Sequence, residues 1–258
     1  MKVVLEKVYN HLVNLNTKEE KKGEKVYPKE AIFVEKPINE LDKSCSTSCI
    51  KVFDFDRAKE KISKEFSRGT IAISQIKSCD ALKICPVKCK FDFIEMKGIK
   101  EFISHINAEV GSEQYFDKIN SKIKEYNEEC IGKFKASIFL LNMILYHSNS
   151  NLTKNEKDKL DNLSKDYYIL SDYNLESNPR EVFAVNLFAL SHPVNTYNKD
   201  MQLEENKEEC LTYMIRKMKE KMEDQNELDW KFNRPRVINS CDLDTIYGEK
   251  SSSNTKVV

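Results

Sequence analysis

The sequence predicts an α/β fold: a mixed central sheet with a strand meander, flanked by helices, and further helices toward the C-terminus. Three observations lead there. Apolar residues recur at helical spacing over residues 55–67 and again over 112–147. Between them, over residues 70–97, the pattern changes to β-branched and aromatic residues at strand spacing. A further strand candidate, residues 166–170, follows the long helix, an alternation that builds a sheet covered by helices.

Composition bounds what such a fold does. The chain has 258 residues, and 42 Lys plus Arg balance 42 Asp plus Glu. That length suits one large domain or two small ones. Apolar residues make up 40%, enough for a core and against wholesale disorder. The most apolar run, residues 136–145, contains Ser137 and Asn142 and falls short of the roughly 18 residues a membrane span needs. Lys2, Glu6 and Lys7 interrupt the first apolar stretch, unlike a secretory leader. The expectation is a cytoplasmic protein with no membrane partner. Zero net charge gives no pointer to a broad nucleic-acid-binding surface, although local patches count for more than the sum.

In order along the chain, residues 1–16 read as an amphipathic helix through Val4, Leu5, Val8 and Leu12. Residues 17–30 are dense in charge and read as a loop. Residues 31–34 are a short strand candidate ended by Lys36-Pro37. Residues 39–50 are a polar loop. The helix over 55–67 aligns Ala58, Ile62 and Phe66, with Asp54 or Asp56 as its cap and Gly69 at its end. The meander follows as residues 70–76, 81–85 and 90–97, with a turn at Pro86 to Lys88. A short apolar stripe at Ile99 to Ile106 precedes the helix over 112–147, where Gly132 is a candidate break. Residues 148–165 form a connector with one helical turn. Pro179 opens a helix to Leu190, and residues 202–232 form a charged helix whose stripe is Leu211, Met214, Ile215, Met218 and Met222. The domain expected is residues 1–248, with 1–50 as an N-terminal extension, 175–248 as a helical part, and 249–258 as a disordered tail.

Eight cysteines without a leader read as reduced thiols. Cys45/Cys49 and Cys85/Cys89 are spaced C-x3-C rather than the more specific C-x2-C of zinc sites, so ordinary thiols are the favoured reading. The histidines (His11, His105, His147, His192) have no ligand spacing, and there is no Gly-rich phosphate loop, nucleophile elbow or H-E-x-x-H. The Met stripe reads as a packing face, and the basic cluster Arg216, Lys217, Lys219, Lys221 as a solvated one.

Chemistry concentrates between Asp80 and Lys97. Alternate strand residues share a face, so Glu95 and Lys97 point the same way as Phe91 and Phe93, and Ile94 and Met96 point into a second apolar layer. A strand apolar on both faces is central, and ionisable groups at its end need pairing or a metal. Folding the chain back at Pro86 to Lys88 brings the Asp80 carboxylate to Glu95. Two carboxylates beside a lysine make a hard-cation site: Asp80, Glu95 and the Met96 carbonyl would hold Mg²⁺ or Mn²⁺. Lys97 would orient or help deprotonate the attacking water, or offset charge on the phosphate.

With Ser78-Cys79-Asp80-Ala81-Leu82 followed by Phe93-Ile94-Glu95-Met96-Lys97-Gly98, the sequence resembles the PD-(D/E)XK nuclease superfamily, the restriction-endonuclease-like fold. The resemblance implies a core of a helix, a three-stranded meander, a helix and a fourth strand, which residues 55–67, 70–97, 112–147 and 166–171 would supply. It implies metal binding by Asp80 and Glu95, and a water-directed role for Lys97. It also implies a helix glutamate completing the site, for which Glu60 and Glu65 are candidates and Glu65, nearer the first strand, is preferred. Cys79 stands where that family often has Pro. The resemblance covers about 120 residues and is silent on 1–50 and 180–258. The function expected is metal-dependent phosphodiester hydrolysis in nucleic acid, DNA before RNA, with a protein partner as one source of specificity. The alternative is a catalytically inactive fold of the same kind that binds protein or nucleic acid.

Overall fold

The computed structural model describes residues 1–18, 20–22, 25–66, 76–99, 104–108, 112–147, 150–172 and 235–248, with 214, 215, 217, 218, 220 and 221. Helix α1 (Lys2–Val13) forms where the apolar spacing places it, burying Val4, Leu5, Val8 and Leu12. Strands β1 (Glu20–Lys22) and β2 (Lys25–Tyr27) pair antiparallel as a separate ribbon inside the stretch expected to be a charged loop.

One six-stranded sheet organises the rest, in the order β3 (Glu35–Pro37), β4 (Lys51–Asp54), β5 (Ala81–Cys85), β6 (Lys90–Lys97), β7 (Ser164–Ser171), β8 (Arg236–Ile238). The first four strands run antiparallel to one another, and β6, β7 and β8 run parallel. The parallel step from β6 to β7 needs a crossover. Helices α3 (Glu113–His147) and α4 (Lys154–Asp161) lie on it, and α2 (Phe55–Phe66) lies between β4 and β5. The protein is thus α/β, a mixed sheet flanked by helices.

Several expectations change. The strand expected at 31–34 is only a bridge from Ala31 to Asn16, because Ile32 and Phe33 turn into the core; the strand starts at Glu35. Pro37, lacking an N–H, is tolerated because β3 is an edge strand. The antiparallel neighbour of β5 is β4, upstream of the helix; residues 70–75, expected as that strand, lie outside the described residues. So do the helix from Pro179 and most of 202–232, although Met214, Ile215 and Met218 are buried in the main core. Within residues 1–50, expected as an N-terminal extension, α1 packs into the main core and β3 joins the sheet. Nor is the C-terminal part wholly helical: residues 236–238 close the sheet as β8.

Packing forms two layers. On one face Phe93 meets Phe134 of α3 edge-on at 5.6 Å between ring centroids, and Phe134 meets Tyr167 at 4.9 Å. On the other, Ile94, Tyr168 and Leu170 pack with Ile38 and with Leu243 of α5 (Ser240–Tyr247). Caps explain where helices begin. Asp54 Oδ1 accepts from the Arg57 N–H at 3.1 Å, and Thr153/Glu156 and Asn239/Asp242 form capping boxes for α4 and α5. At the end of α5, Gly248 takes the left-handed conformation (φ 72°) that glycine adopts at no steric cost.

Helix α3 runs unbroken through Gly132, which is exposed and whose added Cβ would meet nothing within 4 Å. Tertiary packing of the flanking turns outweighs the local cost of glycine. Gly132→Ala is therefore expected to stabilise the fold by about 0.5–1 kcal/mol, read as a higher denaturant midpoint at unchanged slope.

At the opening of β6 a buried polar cluster fixes α5 to the sheet. The Lys90 ammonium is bonded to Asp166, lies 2.7 Å from Asp92 Oδ1, and donates to the Tyr168 hydroxyl at 3.0 Å. Asp92 also accepts from the Tyr247 hydroxyl at 2.6 Å and the Cys85 thiol at 3.2 Å. Arg236 of β8 donates to Tyr168 at 2.5 Å.

Candidate functional site

At the other end of β6 the sequence places Glu95, Met96 and Lys97, and the fold adds their neighbours. The last paired residues of β5 and β6 are Ala81 and Ile94. One step further on sets Asp80 beside Glu95, on the face covered by α3. Asp80 is fixed there in two ways. Its Oδ2 accepts from the Met96 N–H at 2.6 Å. The Cys79 N–H before it donates to Ser137 Oγ of α3 at 2.8 Å, and that hydroxyl donates to the Lys133 carbonyl. Ser137 is fully buried on a mostly apolar helix face, and its place there is explained by this tie.

Glu95 is 2% exposed. Its Oε1 accepts from Lys133 Nζ at 2.5 Å, and its Oε2 is buried with no hydrogen-bond partner among the described residues. Burial pushes the Glu95 carboxyl up to about 8, with the nearby Asp80 charge adding to the rise and Lys133 opposing it. Burial likewise lifts Asp80 to about 6, against the Met96 N–H and Lys133. For Lys133 burial opposes the charge, but Glu95 outweighs it and the ammonium is lifted to about 12. Both acids are raised chiefly because burial disfavours their charged forms, and Lys133 only partly opposes this.

Lys97 is half-buried, and its ammonium lies 4.9 Å from the centroid of the Tyr126 ring of α3. Its charge helps hold Glu129, one turn before Lys133, below the usual carboxylate range, after a hydrogen bond from Lys77 as the main cause. Of the helix acids, Glu60 is exposed on α2, and the side chain of Glu65 lies outside the described residues. The α2 carboxylate whose charge bears on both Asp80 and Glu95 is Asp56, which accepts from Ser78 Oγ at 2.9 Å and pairs with Lys59. Reasoning from the sequence missed Lys133 and Asp56. The signal for Lys133 was faint: a lysine beside Phe134 on the apolar border of α3, one turn before the buried Ser137.

Asp80, Glu95 and the Met96 carbonyl are hard oxygen donors of the kind Mg²⁺ and Mn²⁺ take, and the partnerless Oε2 is what a cation would satisfy. Among the described residues no three of His, Cys, Asp and Glu cluster as a metal cage. A cation here would keep several waters, as Mg²⁺ does. Of the cysteines, the Cys85 thiol donates to Asp92 and Cys89 to the Pro86 carbonyl; Cys45 is buried and Cys49 exposed. His105 is exposed.

These raised values fix the sign of a pH effect. Below about pH 4 both acids are protonated in the folded and unfolded chain, and the stability they contribute is fully present. It is lost as pH rises through about 6 and then about 8, when the folded state must give up protons it holds more tightly than the unfolded chain does. The loss is on the order of a few kcal/mol. Glu95→Gln is expected to flatten this dependence: denaturation of wild type and variant between pH 5 and 8.5 should show curves that converge or cross, and parallel curves would refute it.

No family model matches the sequence, and no curated protein or solved structure matches it significantly. Among the described residues no helix is long and apolar enough to cross a membrane.

Proposed function

We propose that this chain is a metal-dependent nuclease that hydrolyses phosphodiester bonds in nucleic acid, DNA before RNA. The observation that carries the reading is the Asp80/Glu95 pair, with Glu95 buried and its Oε2 left without a partner among the described residues. Part of the element order supports it: antiparallel β5 and β6, a helical crossover and parallel β7 follow the order implied by the resemblance to PD-(D/E)XK nucleases, while the antiparallel neighbour β4 precedes α2 rather than following it. The restriction-endonuclease-like assignment belongs to the same proposal.

Asp80, Glu95 and the Met96 carbonyl would hold the cation. When bound, Mg²⁺ or Mn²⁺ supplies an activated water and polarises the phosphoryl oxygens. The protein's own groups do the rest. The Met96 N–H holds Asp80 in one orientation, so a ligand oxygen is positioned before the substrate arrives. Burial of Glu95 between the sheet and α3 keeps the pair in a low dielectric, where charge stabilisation is worth most. Lys97 orients the attacking water or offsets charge developing on the phosphate, and Tyr126 steadies its ammonium. Net neutrality argues against tight grip by a broad basic surface. Substrate engagement would then rest on the metal, a small patch or a partner protein that supplies specificity.

One observation favours a second reading, a catalytically inactive fold acting as a binding module: Lys133 already neutralises half of the pair. Incubation of purified protein with DNA and RNA substrates in Mg²⁺ or Mn²⁺, with parallel calorimetric titration of Mn²⁺, separates them. Cleavage and saturable binding lost in Glu95→Gln support the nuclease. Mn²⁺ binding absent from the wild type and from variants of Lys133 alike removes it.

A further inference from the structure

We propose that Lys133 is a placeholder cation: its ammonium sits on Glu95 in the metal-free protein and moves to Glu129 when a divalent cation binds between Asp80 and Glu95. This rests on the metal-site reading above and adds a residue that controls loading of the site. Three features of the geometry carry it.

First, Lys133 Nζ lies 2.5 Å from Glu95 Oε1, and this is the direct cationic contact to the carboxylate pair among the described residues. A single ammonium reaches only one of the two Glu95 oxygens and leaves Oε2 buried without a partner. It holds the position without satisfying it. Second, an alternative seat exists. Glu129 Oε1 is 4.0 Å from the same nitrogen, one helical turn earlier, where i,i+4 side chains meet. Glu129 is also bonded by Lys77 at 2.9 Å, and its side chain is 38% exposed against 3% for Glu95. The ammonium thus moves toward water, which favours a strongly hydrated point charge. Third, the move needs side-chain rotation alone. The backbone at Lys133 is pinned through its carbonyl to Ser137 and from there to Cys79, so the acids stay in place.

The physical basis is competition. A divalent cation and an ammonium on the same carboxylate repel each other, and the cation that satisfies both Asp80 and Glu95 displaces the one that satisfies a single oxygen. Lysine therefore lowers apparent metal affinity while offsetting charge on the Asp80/Glu95 pair when no cation is bound.

The test measures Mn²⁺ binding to the full chain by calorimetry at pH 7.5, independently of cleavage. Lys133→Met, confirmed folded by circular dichroism, should bind Mn²⁺ about tenfold more tightly, within the range usual for coupling between ligands. Glu129→Gln, a change at a partly exposed position, should bind about severalfold more weakly, because the displaced ammonium loses its second seat. Wild-type binding with no gain in folded Lys133→Met overturns the placeholder and leaves the metal site standing. Where Lys133→Met does not fold, unchanged affinity in Glu129→Gln overturns it. Wild type that binds weakly or not at all, with Lys133→Met that binds, supports it. Absence of binding in all three proteins overturns both the placeholder and the metal-site reading.

Discussion

Asp80→Ala is expected to reduce metal-dependent cleavage by at least about 10²–10³-fold, the loss that follows removal of one preorganised electrostatic partner of a transition state. The fold should survive the change. Asp80 is only partly buried, and its neighbour Cys79 keeps the bond to Ser137 that ties this strand to α3. Removing a carboxylate also relieves Glu95 of a repelling charge, so its carboxyl should fall from about 8 toward the ordinary range. The variant is thus expected to be as stable as the wild type at neutral pH, or more so, while inactive. Lys97→Ala should also abolish cleavage but leave Mn²⁺ affinity within about threefold, since its ammonium rests over Tyr126. Retained cleavage in Asp80→Ala would remove the enzyme reading. A variant that loses activity and unfolds together would not be informative, so melting is measured on the same preparation.

The largest effect on stability is expected at the opposite end of the same strand. Lys90→Met should cost about 3–5 kcal/mol, because it leaves Asp92 and Asp166 buried without their shared cation. Asp92 is 0% exposed and Asp166 is 4% exposed, so water cannot replace the ammonium. Arg236 does not compensate: it is 3.6 Å from Asp166 and more exposed. Tyr247 would lose the orientation of the carboxylate it donates to, loosening α5 from the sheet. Denaturant unfolding of wild type and Lys90→Met is the measurement, and a difference below about 1 kcal/mol would show the cluster to be replaceable. The two predictions are separable, because the proposed site and the Lys90 cluster lie at opposite ends of β6.

The sequence by itself determined the parts whose cause is local. Period and capping placed α1, α2, α3 and β5 to β7 close to where they form, since side-chain spacing and an Asp cap act within a few residues. Alternation along residues 90–97 also determined that Glu95 and Lys97 share a face with Phe91 and Phe93. Long-range decisions were illegible. Nothing near Lys51 announces that β4, four residues long, pairs with β5; that is decided by which strand finds its partner after α2 folds back. Arg236 to Ile238 read as part of a helical region and became a strand, because the free edge of β7 offers hydrogen bonds that local propensity does not count. Lys133 looked like one more lysine on an amphipathic helix. Only the packing of α3 across the sheet, through Phe134 on Phe93, swings it onto Glu95 and makes it part of the site. Sequence chose the acids, and tertiary structure chose the cation that faces them, because a carboxylate's strand neighbour is fixed by the pleat and its partner across the core only by packing.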